Sequence, residues 1–211
     1  LDLHQNGIQS ITAFNGLKKL EDLRLDRNNI TLVELNDLPA LRSLSLWENP
    51  IAEFKVVSTP NLSTISAGRN NLSDLSSLSN LTSLQHVRLS ENQIQDLTPL
   101  AELANLGHLE LQDNQIRDIS PLASLTNIRN LNLERNRVTS IGNTFSDYNN
   151  ADIRMSGNPL LCETVDNITN LIPSSNRFEF NGGCGNDNDA DGVPDDLDAF
   201  PNDPAASIDS D

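Results

Sequence analysis

Asp187-Asn188-Asp189-Ala190-Asp191-Gly192-Val193-Pro194-Asp195-Asp196-Leu197-Asp198 is the densest run of metal-ligating side chains in the chain. Carboxylates at the first, third and fifth places of such a loop can wrap a hard cation, glycine at the sixth permits the sharp turn, and the seventh residue offers its carbonyl. That chemistry is oxygen ligation of Ca²⁺, by Asp187, Asp189, Asp191, the Val193 carbonyl, Asp195 and Asp198, directly or through water. A helix–loop–helix site would place Glu last and continue into a helix, whereas Ala199-Phe200-Pro201-Asn202-Asp203-Pro204 follows here and starts no helical pattern. The competing reading is an unfolded acidic tail, because so many like charges cannot collapse without a counterion.

The remaining candidate chemistry, His86 and His108, Trp47 and a set of alternating charges, is positioned by a repeat. An asparagine returns every 21 or 22 residues, at Asn6, Asn28, Asn49, Asn70, Asn92, Asn114, Asn136 and Asn158. Around it runs the frame L-x-x-L-x-L-x-x-N-x-I/L/V, at residues 20–30, 41–51, 84–94, 106–116 and 128–138, with 62–72 keeping it around Ala67. Each unit buries its apolar edge only against its neighbours, so the array forms one long core and exposes a broad, regular face. The L-x-L alternation reads as a short strand that sends Leu23 and Leu25, or Leu109 and Leu111, to one side. Consecutive strands pair in parallel about 4.8 Å apart, and the chain crosses back on the far side of the coil. There Leu75, Leu78 and Leu81, then Leu97, Leu100 and Leu103, then Ile119, Leu122 and Leu125 recur three apart, the spacing of short 3₁₀ or helical turns. Pro99 and Pro121 fall early in those turns, where a missing N–H costs little. The asparagine sits buried at the bend, its amide donating to and accepting from backbone groups of adjacent coils. Alanine at Asn92 or Asn114 is expected to leave buried partners unpaired, at roughly 1–3 kcal/mol each.

These units make residues 1–160 a leucine-rich repeat array of about eight turns. The fold class is an α/β solenoid, a right-handed coil with a parallel β-sheet on its concave face and short 3₁₀ or helical turns or loops on its convex face. The segments D-I-S-P-L-A-S-L-T-N and D-L-T-P-L-A-E-L-A-N resemble those of the bacterial internalin class of leucine-rich repeat proteins. The resemblance implies fold and a binding role; it implies no particular partner, since one fold hosts many functions.

Aligned units give columns of solvent-facing side chains whose neighbours lie one strand spacing apart. Just before the asparagine the column reads Arg27, Glu48, Arg69, Glu91, Asp113, Arg135, and its alternating signs form a charge ladder that supports strand register. One place earlier it reads His4, Asp26, Trp47, Gly68, Ser90, Gln112, Glu134. The frame turns Trp47 away from Leu44 and Leu46, and beside the small Gly68 an outward indole can anchor a partner residue or a sugar ring, or pack over its neighbours. His86 and His108 stack in adjacent repeats near Arg88 and Glu110; without a third ligand the pair reads as a contact surface or a pH-sensitive patch rather than a metal site. Trp47, Arg69, His86, Arg88, His108 and Glu110 are the candidate partner-binding residues.

Residues 161–186 follow the repeats with Ile168, Leu171, Ile172, Phe178 and Phe180 between Cys162 and Cys184. The segment resembles the cysteine-bearing C-terminal caps of extracellular leucine-rich repeat proteins, with two cysteines where many have four. That resemblance implies a Cys162–Cys184 disulfide, contributing roughly 3 kcal/mol, and an oxidising compartment; two buried thiols are the alternative. Residues 187–211, with the continuation to Asp209-Ser210-Asp211, resemble the thrombospondin type 3 repeats of secreted bacterial proteins, which implies units wound around calcium and a second repeat opening at Asp209. At the other end, Leu1 enters within a repeat with no Met or capping element before it, as expected of an excised fragment.

Net charge is −16, and the 9 aspartates of residues 187–211, where Lys and Arg are absent, supply more than half of it. So acidic a chain argues against a nucleic-acid partner, and no apolar run approaches the ~20 residues needed to span a bilayer. There is no G-x-S-x-G, P-loop or H-E-x-x-H, and Glu91 and Asp113 face an open sheet rather than a cleft, so an enzyme is not expected. The expected function is a monomeric, secreted or cell-surface recognition module of a bacterium that binds a protein through the concave face, with the Ca²⁺ segment as a linker. A glycan-targeting module and a ligand-free spacer are the alternatives; with aromatic residues at 4 per cent, few stacking platforms for sugars are available.

Overall fold

The computed structural model describes residues 1–189 together with 194, 195, 198, 201 and 202. Its spine is an eight-stranded, all-parallel sheet. In sheet order the strands are β1 (Asp22–Arg24), β3 (Ser43–Ser45), β5 (Thr64–Ser66), β6 (His86–Arg88), β7 (His108–Glu110), β8 (Asn130–Asn132), β9 (Asp152–Arg154) and β10 (Arg177–Glu179). Cα register runs Leu23, Leu44, Ile65, Val87, Leu109, Leu131, Ile153, Phe178, so one apolar residue per coil stacks on the next. From Leu23 to Ile153 these residues are buried with the second frame leucines into a single continuous core.

Convex crossings take two forms, and the asparagine spacing separates them. Where the spacing is 22, the crossings after Asn6, Asn70, Asn92 and Asn114 make 3₁₀ turns, at Thr12–Phe14, Ser76–Leu78, Thr98–Leu100 and Ser120–Leu122. In the last three an aspartate two residues ahead starts the turn, Asp74, Asp96 and Asp118 each accepting the N–H of Ser76, Thr98 and Ser120 at 2.8 Å. Where the spacing is 21, from Asn28 to Asn49 and Asn49 to Asn70, the crossing is extended instead, as β2 (Leu32–Asn36) and β4 (Glu53–Val57), paired in parallel as a second small sheet. An extended residue advances about 3.3 Å against about 2.0 Å in a 3₁₀ turn, so a strand spans the same width with fewer residues. The unit between Asn136 and Asn158 differs again. Its crossing is a run of turns filled by Phe145 and Tyr148, whose rings meet edge to face, and the Tyr148 hydroxyl donates to the Leu122 carbonyl at 2.9 Å.

The asparagine ladder joins coil to coil. Asn92 donates to its own coil at Leu89 O and to the preceding coil at Ala67 O, both 3.0 Å, while its Oδ1 accepts from Leu72 N at 2.9 Å. Asn49, Asn70, Asn114, Asn136 and Asn158 repeat this pattern and are 5–8% exposed. Asn28 makes the same contacts half-buried, and Asn6 is exposed at the first coil.

Residues 161–186 close the coil. Two short helices, α1 (Cys162–Asp166) and α2 (Ile168–Leu171), precede β10, and Phe178 and Phe180 pack against the end of the core. Cys162 and Cys184 are disulfide-bonded, and Leu161 and Gly185 form a parallel bridge beside the bond.

Candidate binding face

Successive side chains of a strand point to opposite faces, so the residues flanking each buried Leu, Ile or Val stand out from the concave sheet. The first column reads Asp22, Ser43, Thr64, His86, His108, Asn130, Asp152, Arg177, and the second Arg24, Ser45, Ser66, Arg88, Glu110, Asn132, Arg154, Glu179. Arg177 and Glu179 come from the cap, so the face continues past the last repeat.

Beyond each strand the chain must turn into the asparagine bend, and it does so through a left-handed residue every time. Arg27, Glu48, Arg69, Glu91, Asp113 and Arg135 have φ between 51° and 59°, and Gly157 takes the place in the last unit at 77°. That conformation costs a non-glycine residue about 1–2 kcal/mol. It is held because each N–H reaches the next coil, as Arg27 N to Trp47 O at 2.8 Å and Glu48 N to Gly68 O at 2.9 Å. The outward side chains pair along the coil axis: Arg27 with Glu48 at 2.7 Å, Arg69 with Glu91 at 2.9 Å, Arg135 with Asp113 at 2.6 Å.

Trp47 lies on Gly68. A Cβ built on Gly68 would stand 2.1, 2.6 and 2.7 Å from three consecutive carbons of the indole's six-membered ring. An edge-on ring would put the flanking carbons much farther away than the nearest one, so these near-equal distances mean that the ring's face covers Gly68. Behind it, Asp26, 9% exposed, accepts from Trp47 N at 2.8 Å, Ser45 Oγ at 2.6 Å and Arg24 Nε at 2.8 Å, fixing the backbone that carries the ring. The Arg69 guanidinium carbon is 6.0 Å from the ring centroid.

Farther along, the imidazoles of His86 and His108 stack, with centroids 4.6 Å apart and planes 16° from parallel. Desolvation, then the neighbouring His108 and Arg88, hold the His86 imidazole below its ordinary pKa. His108 Nδ1 lies 2.9 Å from Asn130 Nδ2, and Arg88 Nε donates to Glu110 Oε1 at 3.1 Å. From here a shallow depression of about 430 Å³ opens over His108, Glu110, Gln112, Asn130, Asn132 and Asp152.

The aspartate loop follows Cys184. Asp195 turns back on the loop's start, its N–H donating to Asn186 O at 2.7 Å and its Oδ1 accepting from Asn188 N at 2.8 Å. Asp187, Asp189, Asp195 and Asp198 are described; the expected ligands Asp191 and Val193 lie outside the described residues. Among the described residues no group of three or more His, Cys, Asp or Glu side chains gathers as a metal site.

The family model "Leucine Rich repeats (2 copies)" matches residues 60–102 and 104–149, and the model "Leucine rich repeat" matches residues 1–51. The chain is a leucine-rich repeat protein. Among solved structures this leucine-rich repeat protein is similar to the internalin inlC2 of Listeria monocytogenes, at TM-score 0.66 and 25% identity over 85% of this chain and 79% of that one. It is similar to the internalin inlF of the same organism, at 0.59 and 25%, covering 84% and 61%, and to the plant peptide hormone receptor RGFR1 in complex with RGF2, at 0.58 and 28%, covering 68% and 25%. None of the functionally curated proteins matches it in sequence. No helix among the described residues is long and apolar enough to cross a membrane.

Three features of the face escape the sequence reading. Asp26 carries no motif, although it sits one repeat before Trp47 in the same column. The left-handed column is signalled only by Gly157 and Asp113, because Arg and Glu at the other units disfavour that conformation. The lining of the depression spans three coils and is visible only once the coils are in register.

Proposed function

We propose that the protein is an extracytoplasmic recognition module that binds a protein partner through its concave strand face. The observation that carries this is the face itself: two columns of outward side chains on a rigid parallel sheet, with an indole held in place at one end and a shallow depression at the other. Preorganised side chains bind without a large ordering cost. Trp47, Arg69, His86, Arg88, His108 and Glu110 form the contact set, and no chemistry is assigned to them. Support from similar proteins is the receptor solved in complex with RGF2, and the disulfide supports a secreted or cell-surface location. The test replaces Trp47, Arg69, His86 and Arg88 together and compares capture from the surrounding host or community proteins with that of a convex-face variant at Lys55 and Asn105. Loss confined to the concave variant supports the reading, and equal capture by both refutes it.

The C-terminal segment is proposed to bind Ca²⁺. Its donors are all oxygens, the set that a hard cation takes, and Asp195 returns onto Asn186 and Asn188 at the start of the segment. Asp187, Asp189, Asp191, Val193, Asp195 and Asp198 would hold the ion, which would offset their mutual repulsion and stiffen the linker. Calorimetry should show Ca²⁺ binding that Asp189→Ala with Asp191→Ala abolishes. No heat, together with unchanged proteolysis after Cys184, rejects the site.

A further inference from the structure

The sheet carries a trough in its N-terminal half whose chemistry differs from the rest of the face. Ser43, Ser45, Thr64 and Ser66 put only hydroxyl-bearing side chains on two adjacent strands, between Asp22 and Arg24 on one side and His86 and Arg88 on the other. Trp47 closes the trough lengthwise. Gly68's missing side chain would project outward from the sheet, and it meets the face of the indole, so the ring lies across the sheet, half-buried, with the Arg69 guanidinium carbon 6.0 Å from its centroid. The floor from position 64 to the ring over position 68 is about 13 Å long at about 3.3 Å per residue.

The arginines around this plate are already satisfied. Arg24 is paired with Asp26 at 2.8 Å, Arg27 with Glu48 at 2.7 Å, Arg69 with Glu91 at 2.9 Å and Arg88 with Glu110 at 3.1 Å. An anionic ligand would have to break one of these pairs to reach a guanidinium. What remains unengaged along the floor is neutral: the hydroxyls of Ser43, Thr64 and Ser66 and the indole Nε1–H make no hydrogen bond to another described residue. A flat apolar plate, a strip of free neutral donors and acceptors beside it, and no unpaired cation together fit a pyranose, which has an apolar ring face and hydroxyls around its rim that the Asp22 carboxylate at the trough's edge can also accept from.

We propose that this trough binds a short neutral glycan, with one pyranose ring stacked on Trp47 and the next over Ser66 and Thr64. A single plate takes a single stacked ring, which suits a terminal or two- to three-sugar epitope rather than a long polysaccharide track. The site shares Trp47 with the proposed protein contact set, but a saccharide response and the capture of a protein are measured separately and each can fail alone.

Trp47 is the only tryptophan, so its fluorescence reports on the plate alone. The probes are neutral trisaccharides of gluco, manno and galacto configuration, with and without N-acetyl groups, titrated to tens of millimolar. The expected result is a saturable change in emission with at least one of them. It should be lost in Gly68→Val, which evicts the ring from its seat, and in Ser66→Leu, which fills the trough but leaves the ring in place. Calorimetry on Trp47→Ala should show at least a tenfold loss of affinity. An absence of saturable response to every neutral trisaccharide overturns the proposal, as does a response that survives in folded Ser66→Leu, or Trp47-dependent capture of a protein with no saccharide response.

Discussion

Replacing Asn114 with alanine should sever one coil from the next. Asn114 is 7% exposed; its Nδ2 donates to Leu89 O and Leu111 O, both at 3.0 Å, and its Oδ1 accepts from Ile94 N at 2.9 Å. Alanine reaches none of the three groups, but Leu89 O keeps the Asn92 amide and Leu111 O keeps the Asn136 amide, each at 3.0 Å, so Ile94 N is the group left without a partner. A buried N–H left unpaired costs about 1–3 kcal/mol and each lost donation to a carbonyl that keeps another donor costs less, so the loss should be about 2–4 kcal/mol. Because a solenoid's stability is a sum of nearest-neighbour interfaces, a loss at one interface should also broaden the transition. Urea denaturation followed by far-UV circular dichroism measures both effects. Asn105→Ala is the control: it is exposed and gives up one donation, to Thr82 O at 2.9 Å, so it should cost less than about 1 kcal/mol. If Asn114→Ala falls within about 0.5 kcal/mol of the parent, or matches Asn105→Ala, the ladder does not hold the coils together.

Two further outcomes follow from the cap and the histidine pair. Reducing Cys162–Cys184, which spans 22 residues, should destabilise the cap by roughly 3 kcal/mol and speed hydrogen exchange at Gly185 and in β10 ahead of the repeats; uniform exchange with and without reductant would contradict this. His86 should titrate below the ordinary imidazole pKa of about 6.5 when its ring protons are followed by NMR. With the folded-state pKa depressed, the unfolded chain binds more protons across that window, so stability rises with pH through it and is eroded as acid takes the solution below the ordinary value. A titration at or above the ordinary value would show that the stacked pair does not disfavour the charge.

The inward half of this molecule is legible in its sequence because burial enforces residue type. Leu44, Ile65, Val87 and Leu109 must be apolar, and Asn92 or Asn114 must carry both a donor and an acceptor, so period and chemistry appear together. The outward half is constrained only where one side chain seats another, as Gly68 does Trp47. Its geometry also depends on backbone states that side chains do not announce: Arg69 and Glu91 adopt the left-handed turn because the next coil takes their N–H groups, not because of what they are. The convex strands β2 and β4 are an intermediate case. Alternation in Leu32-Val33-Glu34-Leu35-Asn36 and the 21-residue spacing both mark them, but the signal lies in a one-residue shortening whose meaning needs the crossing width. In the cap, Arg177-Phe178-Glu179 alternates over too few residues to be told from a loop until β9 is there to pair with it.

Photo-crosslinking tests the central claim most directly. With benzoylphenylalanine placed singly at Thr64, Asn130, Lys55 or Asn105, binding through the concave sheet predicts that the same partner is crosslinked from Thr64 and Asn130 and not from the convex positions Lys55 and Asn105. Crosslinks from Lys55 or Asn105, with none from the strand face, would contradict it.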